Sequence, residues 1–289
     1  FFILAAACLW GTSGVAQALA PQAATPYLLG TIRIIGGWFL LSLVALLRGQ
    51  FADFSRFLKP VFLLTGLTQA LFNFSYFTCL SLMGVAVGTM VEIGSTPIFA
   101  GILGILLNKD RVGLRWYSAT AIAITGLVLL VGEQSSLEAD PLGLVFALLA
   151  GFSYSFFSFV SGRLIRSGYE PESVMAVSFF VAGIVMSPVF ALTPVSWILE
   201  PAGVWAALYL GLISCGLSYL FYGRGLRTVI LSHVGTLTLA EPLTAAALGI
   251  FFLGEPVSAM GLLGMALILL AQVLIVTARR RRAPAGTKS

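Results

Sequence analysis

The chain has 289 residues, of which 59% are hydrophobic and only 9% charged, and its mean hydropathy is +1.02. A hydrated globular surface needs about 25% charged residues, so the composition excludes a soluble domain and indicates a membrane protein. Outer-membrane strands alternate apolar and polar residues, whereas Leu40–Leu47 and Val145–Leu149 run apolar without alternation, so the spans are helices.

At about 20 residues per crossing, the length accommodates roughly ten helices and leaves no room for a soluble catalytic domain. Apolar runs bounded by Pro, Gly and charge place them near 1–19, 27–47, 58–81, 84–107, 115–132, 141–163, 172–192, 202–222, 229–253 and 258–278. The opening segment, Phe1–Leu19, carries no cleavage-site pattern and is followed by further spans, so it reads as a first helix lacking its extreme N-terminus. The breaks at Leu82–Gly84, Leu226–Thr228 and Gly254–Pro256 are short enough to demand tight antiparallel pairs. Cys8, Cys79 and Cys215 each sit in an apolar segment without a CxxC spacing or a nearby His, and read as small core hydrophobes rather than a disulfide frame or a metal site.

The net charge of +5 and the pI of 9.3 follow from where the sixteen basic residues fall. Arg48, Arg56 and Lys59 follow the second span, and Lys109, Arg111 and Arg115 the fourth. Arg163 and Arg166 follow the sixth, Arg224 and Arg227 the eighth, and Arg279–Arg282 with Lys288 form the tail. Loops after odd-numbered spans contain no Lys or Arg, only Glu133, Glu138, Asp140, Glu200 and Glu255. The positive-inside rule therefore puts every even-numbered loop and both termini in the cytoplasm. Charges scattered over five short juxtamembrane segments meet lipid headgroups and make no nucleic-acid surface.

Sliding the chain on itself by 145 residues carries Tyr76–Val131 onto Phe221–Val276 without a gap and sets Pro97 on Pro242. Ala100, Leu103, Gly104 and Ile105 then land on Ala245, Leu248, Gly249 and Ile250. The expected fold is an all-α polytopic membrane protein of ten transmembrane helices, arranged as two inverted five-helix repeats around a central cavity. The repeats span 1–132 and 141–278, and 279–289 is a basic cytoplasmic tail. Five is odd, so the second repeat enters the membrane from the opposite side, an architecture recurrent in secondary transporters.

Pro97 and Pro242 interrupt equivalent spans and free carbonyls at membrane depth, which marks them as helix breaks or gates near a transport site, or as bends for packing. Glu92 and Glu241 are the acids deep in the spans, each at an insertion cost of roughly 2.5–3.5 kcal/mol if ionised. Either can meet a substrate ammonium or carry a proton, or serve as a protonated acid bonded across helices. His233, the sole histidine, reads as a gating or pH-sensing group or as a satisfied structural residue, with no second His for a metal. Arg33 reads better as an anchor that snorkels or caps a helix end. Thr65, Gln69, Asn73 and Tyr76 form one polar stripe on span three, answered by Ser214, Ser218 and Tyr222 on span eight. Trp10, Tyr154, Phe156, Phe157 and Tyr219 crowd the same depth, and aromatic walls with polar handles bind cations and planar side chains. No nucleotide loop, HExxH or Ser-His-Asp set is present, so neither an enzyme nor an ATP-driven pump is indicated.

Leu9-Trp10-Gly11, Thr31-Ile32-Arg33, Pro97 through Leu103-Gly104 to Asn108-Lys109-Asp110, and Glu241-Pro242-Leu243 through Leu248-Gly249 to Gly254-Glu255-Pro256 resemble the two tandem EamA units of the drug/metabolite transporter superfamily. The likeness covers essentially the whole chain and is greatest to the bacterial inner-membrane aromatic and general amino-acid exporters of the YddG type. The first unit departs at Asn108-Lys109-Asp110, where the second has Gly254-Glu255, so that acidic turn is not part of a symmetric site. The resemblance implies export of amino acids and related metabolites by alternating access, without a cofactor, from a cavity lined by spans one, three, four, six, eight and nine. The expected substrate-binding residues are Trp10, Asn73, Tyr76, Glu92, Tyr154, Ser218, Tyr219 and Glu241. Efflux of lipophilic or quaternary-ammonium cations is the alternative, since aromatic walls and an acid suit those equally. Partners are then the substrate and the lipid bilayer, and the oligomeric state is open, a monomer included.

Overall fold

The computed structural model describes residues 1–21, 23–131, 140–254 and 256–280. Glu133, Glu138, Glu255 and the tail from 281 onward lie outside the described residues, as does any structural reading of them. Among the described residues the chain is helical and contains no strand.

The helices run α1 Phe2–Gly11, α2 Ser13–Ala18, α3 Pro26–Leu47, α4 Pro60–Leu107, α5 Leu114–Val131, α6 Pro141–Arg166 and α7 Pro171–Met186. They continue with α8 Val189–Leu192, α9 Pro201–Leu208, a π-helical stretch at Tyr209–Leu217, α10 Ser218–Thr228, α11 Leu231–Leu237, α12 Ala240–Leu253 and α13 Ala259–Arg280. Several begin with Pro as the first helical residue, where its missing N–H costs nothing and its fixed φ favours the helix. Asp140 caps α6, its carboxylate accepting from the Leu142 and Gly143 amides at 2.8 and 2.9 Å.

Among the described residues, eight helical stretches are long and apolar enough to cross a membrane, and Phe2–Gln17 forms a shorter apolar one. One of the eight, α4, has 48 residues and would be about 72 Å long if straight, against a hydrocarbon core of about 30 Å. It is not straight. Gly84 has φ 77° and ψ 165°, and the two arms fold back so that the Tyr76 hydroxyl lies 3.3 Å from the Thr89 hydroxyl. The turn falls where the expected break at Leu82–Gly84 lies. Its conformation is one that only glycine enters without strain. A Cβ at Gly84 would meet nothing within 4 Å, so Gly84→Ala tests the backbone alone. We expect it to cost about 1–3 kcal/mol in thermal unfolding of the detergent-solubilised protein; an unchanged melting temperature would show that the turn relaxes freely.

The surface is inverted relative to a water-soluble fold. Leu46, Leu47, Phe251, Leu263, Leu270 and Val273 are exposed, a belt of apolar side chains that needs lipid to cover it. Polar groups turn inward: Thr31, Thr65, Ser155, Ser214, Ser218 and Ser232 are fully buried. Most return their hydroxyl protons to nearby carbonyls, as Thr31 does to Tyr27 at 2.9 Å and Ser218 does to Ser214 at 2.7 Å. The strongest inter-helix packing joins α4 to α6 and α5 to α13.

Basic residues that follow spans two, six and eight gather at one end, Arg166 after span six donating to the Leu226 carbonyl at 3.1 Å, next in the chain to Arg227. Arg48 at the end of α3 and Arg224 in α10 donate to Glu172 at 3.1 and 2.7 Å, and Arg227 donates to Glu170 at 2.9 Å. Lys59 donates to the Tyr169 hydroxyl at 3.0 Å, and both Lys59 and Arg56 lie against the Tyr169 ring. The Asp110 turn belongs to this end too, with its carboxylate accepting from the Ser232 amide at 3.2 Å and hydroxyl at 2.8 Å. That acid caps the start of α11, which gives it a structural task away from the cavity.

Candidate functional site

The central cavity leaves about 80 Å³ for the centres of water-sized molecules, room for several waters or a small solute. Its wall draws on both parts of the chain. Trp10, Asn73, Tyr76 and Glu92 come from the first, and Tyr154, Tyr219 and Glu241 from the second. Seven of the eight expected substrate-binding residues therefore face one space.

Trp10 is the hub of the aromatic wall. Its ring lies 5.1 Å from Tyr219, 5.2 Å from Tyr222 and 6.1 Å from Tyr154, all tilted or edge-on, as ring quadrupoles prefer. Tyr222 is fully buried beneath the cavity, with its hydroxyl 2.6 Å from that of Ser158. Phe72 closes the side, 5.3 Å from Tyr154 and 5.8 Å from Tyr76. Asn73 is held by its amide, which donates to the Gln69 carbonyl at 2.9 Å, and Gln69 donates to the Tyr219 hydroxyl at 3.3 Å.

Glu92 is buried on the second arm of α4. Thr96 donates to the Glu92 carboxylate at 3.3 Å and to its backbone carbonyl at 3.1 Å. Glu241 opens α12, directly after a real interruption of the span. Pro242 has no N–H to give the Thr238 carbonyl, so the Glu241 amide takes that acceptor at 2.9 Å and the turn tightens between α11 and α12.

The remaining expected residues stand elsewhere. Ser218 points away from the cavity, its hydroxyl donating to the carbonyls of Ser214 and Cys215 at 2.7 Å each, because a serine in a helix can always return its proton to the preceding turn. Pro97 and Pro242 do not line the space. At Pro97 the helix continues with helical backbone angles, and the proline packs against Gly235 of α11. The two prolines thus differ: one span is interrupted, the other is not. His233 is half-buried near the start of α11, away from the cavity wall.

Arg33, Ser13, Gln69, Phe72, Thr96 and Thr238 line the cavity without having been expected there. Gln69 sits in the polar stripe of span three, and that stripe was the available signal. Arg33 gave none, because an arginine near a helix end snorkels as often as it turns inward. The π-helical stretch was equally silent in the sequence. It widens span eight where Cys215 and, just past its end, Tyr219 reach the wall, and such stretches are frequent at functional sites.

A model of the EamA-like transporter family matches the chain twice, over residues 1–132 and 141–277. The chain belongs to that family. It is 38% identical over 282 residues to the uncharacterized transporter YwfM of Bacillus subtilis strain 168, covering 97% of this chain and 94% of that one. It is 26% identical to the threonine/homoserine exporter RhtA of Escherichia coli K12, over 94% of this chain and 88% of that one. Protein PecM of Dickeya dadantii strain 3937 is 27% identical over 95% and 91% of the two chains. A crystal structure of a protein superposes with a TM-score of 0.84 over 98% of both chains at 20% identity, a likeness of fold alone. The molecule is thus a multi-pass membrane transporter of the EamA family, with bacterial relatives and an all-helical fold.

Proposed function

We propose that this transporter exports amino acids, aromatic and others, and related metabolites by alternating access across a bacterial inner membrane. The reading takes α1 with α2 as one crossing and the two arms of α4 as two, for ten crossings in two inverted halves, 1–132 and 141–278. Even-numbered loops, both termini and the basic tail from 279 face the cytoplasm. Support for that orientation comes from the basic residues of the loops after spans two, six and eight, which share one end of the bundle.

The observation that carries the reading is the cavity itself. Trp10, Asn73, Tyr76, Glu92, Tyr154, Tyr219 and Glu241, from distant parts of the sequence, face a single space at the junction of the two halves. Aromatic faces accept an ammonium or a flat side chain, and a buried carboxylate matches an ammonium that has shed its water. Pro242 and the tightened turn before it supply a point where span nine can flex, and Pro97 packs against that span through Gly235. His233, close by on α11, is a candidate gate. The resemblance to YddG-type exporters and the 26% identity to a threonine/homoserine exporter point to amino acids.

Uptake of radiolabelled aromatic and aliphatic amino acids into liposomes holding only the purified protein tests the reading. The expected result is saturable flux, competed by unlabelled amino acids and not by a quaternary aromatic cation. The reverse competition pattern would replace amino acids with lipophilic cations as substrates.

A further inference from the structure

Glu92, Glu241 and Arg33 line the same cavity, yet none of them is paired with another. Among the described residues the Arg33 side chain makes no hydrogen bond and no ion pair, so neither carboxylate comes within 4.0 Å of its guanidinium. Among the described residues the Glu241 carboxylate accepts no hydrogen bond, and the Glu92 carboxylate accepts one, from Thr96. The carboxamide oxygen of Gln69, on the same wall, is buried without a partner.

Opposite charges at membrane depth ordinarily close on each other, because each is otherwise left in a poor dielectric. Here close backbone contact fixes the seat of the helix that carries Arg33. One turn further along α3, Gly36 meets Gly211 of the π-helical stretch so closely that a Cβ on Gly36 would lie 2.5 Å from the Gly211 Cα. Gly37 packs beside Cys215 of the same stretch. The helix that carries Arg33 is therefore seated against the helix that carries Tyr219, while the acids stand on α4 and α12.

We infer that Arg33 is the carboxylate-binding pole of the substrate site, and that with Glu92 and Glu241 as the ammonium pole it selects zwitterions over cations. The inference rests on the amino-acid reading and narrows it. A lipophilic cation would satisfy the acids and be repelled by Arg33, and an anion would meet the opposite fault. A zwitterion completes both ends at once. The planar guanidinium offers a carboxylate two parallel donors, which the hydroxyls and amides of the wall cannot. Side-chain tolerance then falls to the aromatic surfaces of Trp10, Phe72 and Tyr154, which impose no charge.

Counterflow in liposomes with phenylalanine and with phenylalaninamide, which keeps the ammonium and ring but lacks the carboxylate, reads the pole directly. The wild-type protein is expected to carry phenylalanine at least tenfold faster than the amide. Arg33→Gln should lose phenylalanine flux tenfold or more while amide flux holds or rises, and Arg33→Lys should recover part of the phenylalanine flux. Equal loss of both probes, or undiminished phenylalanine flux, would overturn the role of Arg33 and leave amino-acid export standing. A wild-type protein that carries neither probe would overturn the amino-acid reading and the inference with it. Should Arg33→Gln not fold, thermal stabilisation of the wild-type protein by phenylalanine but not by phenylalaninamide is the expected result, and equal stabilisation by the two overturns the inference.

Discussion

Arg224→Met is expected to destabilise the fold by about 3 kcal/mol, because it strips a buried carboxylate of its best partner. Glu172 is only 2% exposed. One of its oxygens accepts from Arg224 Nε at 3.0 Å, Arg224 Nη2 at 2.7 Å and Arg48 Nη1 at 3.1 Å, and the other accepts from Gln50 at 3.3 Å. Arg224 and Arg48 have side chains 30% and 54% exposed. The two ends of the interaction are therefore unequal. Without Arg224 the anion stays buried with weaker donors, whereas without the anion both arginines can turn to water. Glu172→Gln should accordingly cost less, about 1 kcal/mol, and removing Arg224 and Glu172 together should cost less than removing Arg224 alone. Thermal unfolding in detergent checks the order. If Glu172→Gln proves the more harmful, the cluster is held by the arginines' packing and not by the need to compensate a buried charge. The cluster ties α3, α7 and α10 at one end of the bundle.

Glu92→Gln is expected to lower amino-acid transport at least tenfold while leaving the folded yield close to that of the wild type. Gln fills the same volume and can still accept from Thr96, so the fold keeps its packing and its hydrogen bond. What is lost is the charge, and a charge-assisted hydrogen bond to a substrate ammonium contributes about 1.5–3 kcal/mol. Glu241→Gln should act in the same direction, and the double variant should fall short of the product of the two single effects, because both acids serve one small cavity. Flux in liposomes beside folded yield from size exclusion separates the outcomes. Parallel loss of flux and yield would make Glu92 a structural acid, and full flux in the double variant would remove both from substrate binding.

Much of the helical plan was legible in advance because the bilayer imposes it. Every backbone amide in hydrocarbon needs an internal partner, so crossings are apolar helices of a set length, and the charges that interrupt them fall in the loops. Hence the breaks at Gly84 and Gly254 and the helices beginning at Pro26, Pro60, Pro141 and Pro171 lie within a few residues of their expected places. The polar stripe on span three was also legible, since a face that repeats every three to four residues survives in one dimension. Asn73 and Tyr76 reached the cavity by that rule.

What escaped the sequence was decided by rotation and by contact between distant segments. Ser218 shares the register of Asn73 under the internal repeat, yet its hydroxyl returns to its own helix, because the carbonyls of Ser214 and Cys215 lie within reach of it one turn back. Pro97 and Pro242 are the same residue at matching positions, but Pro97 packs against Gly235 within an unbroken helix, while Pro242 leaves the Thr238 carbonyl to be rescued by the Glu241 amide. Arg33 faces the acids rather than the lipid because Gly36 and Gly211 let two backbones touch. Hydropathy and charge say which residues cannot face lipid or water. Which of the inward-facing polar residues share a cavity, and which satisfy themselves within a helix, depends on how neighbouring helices seat against one another.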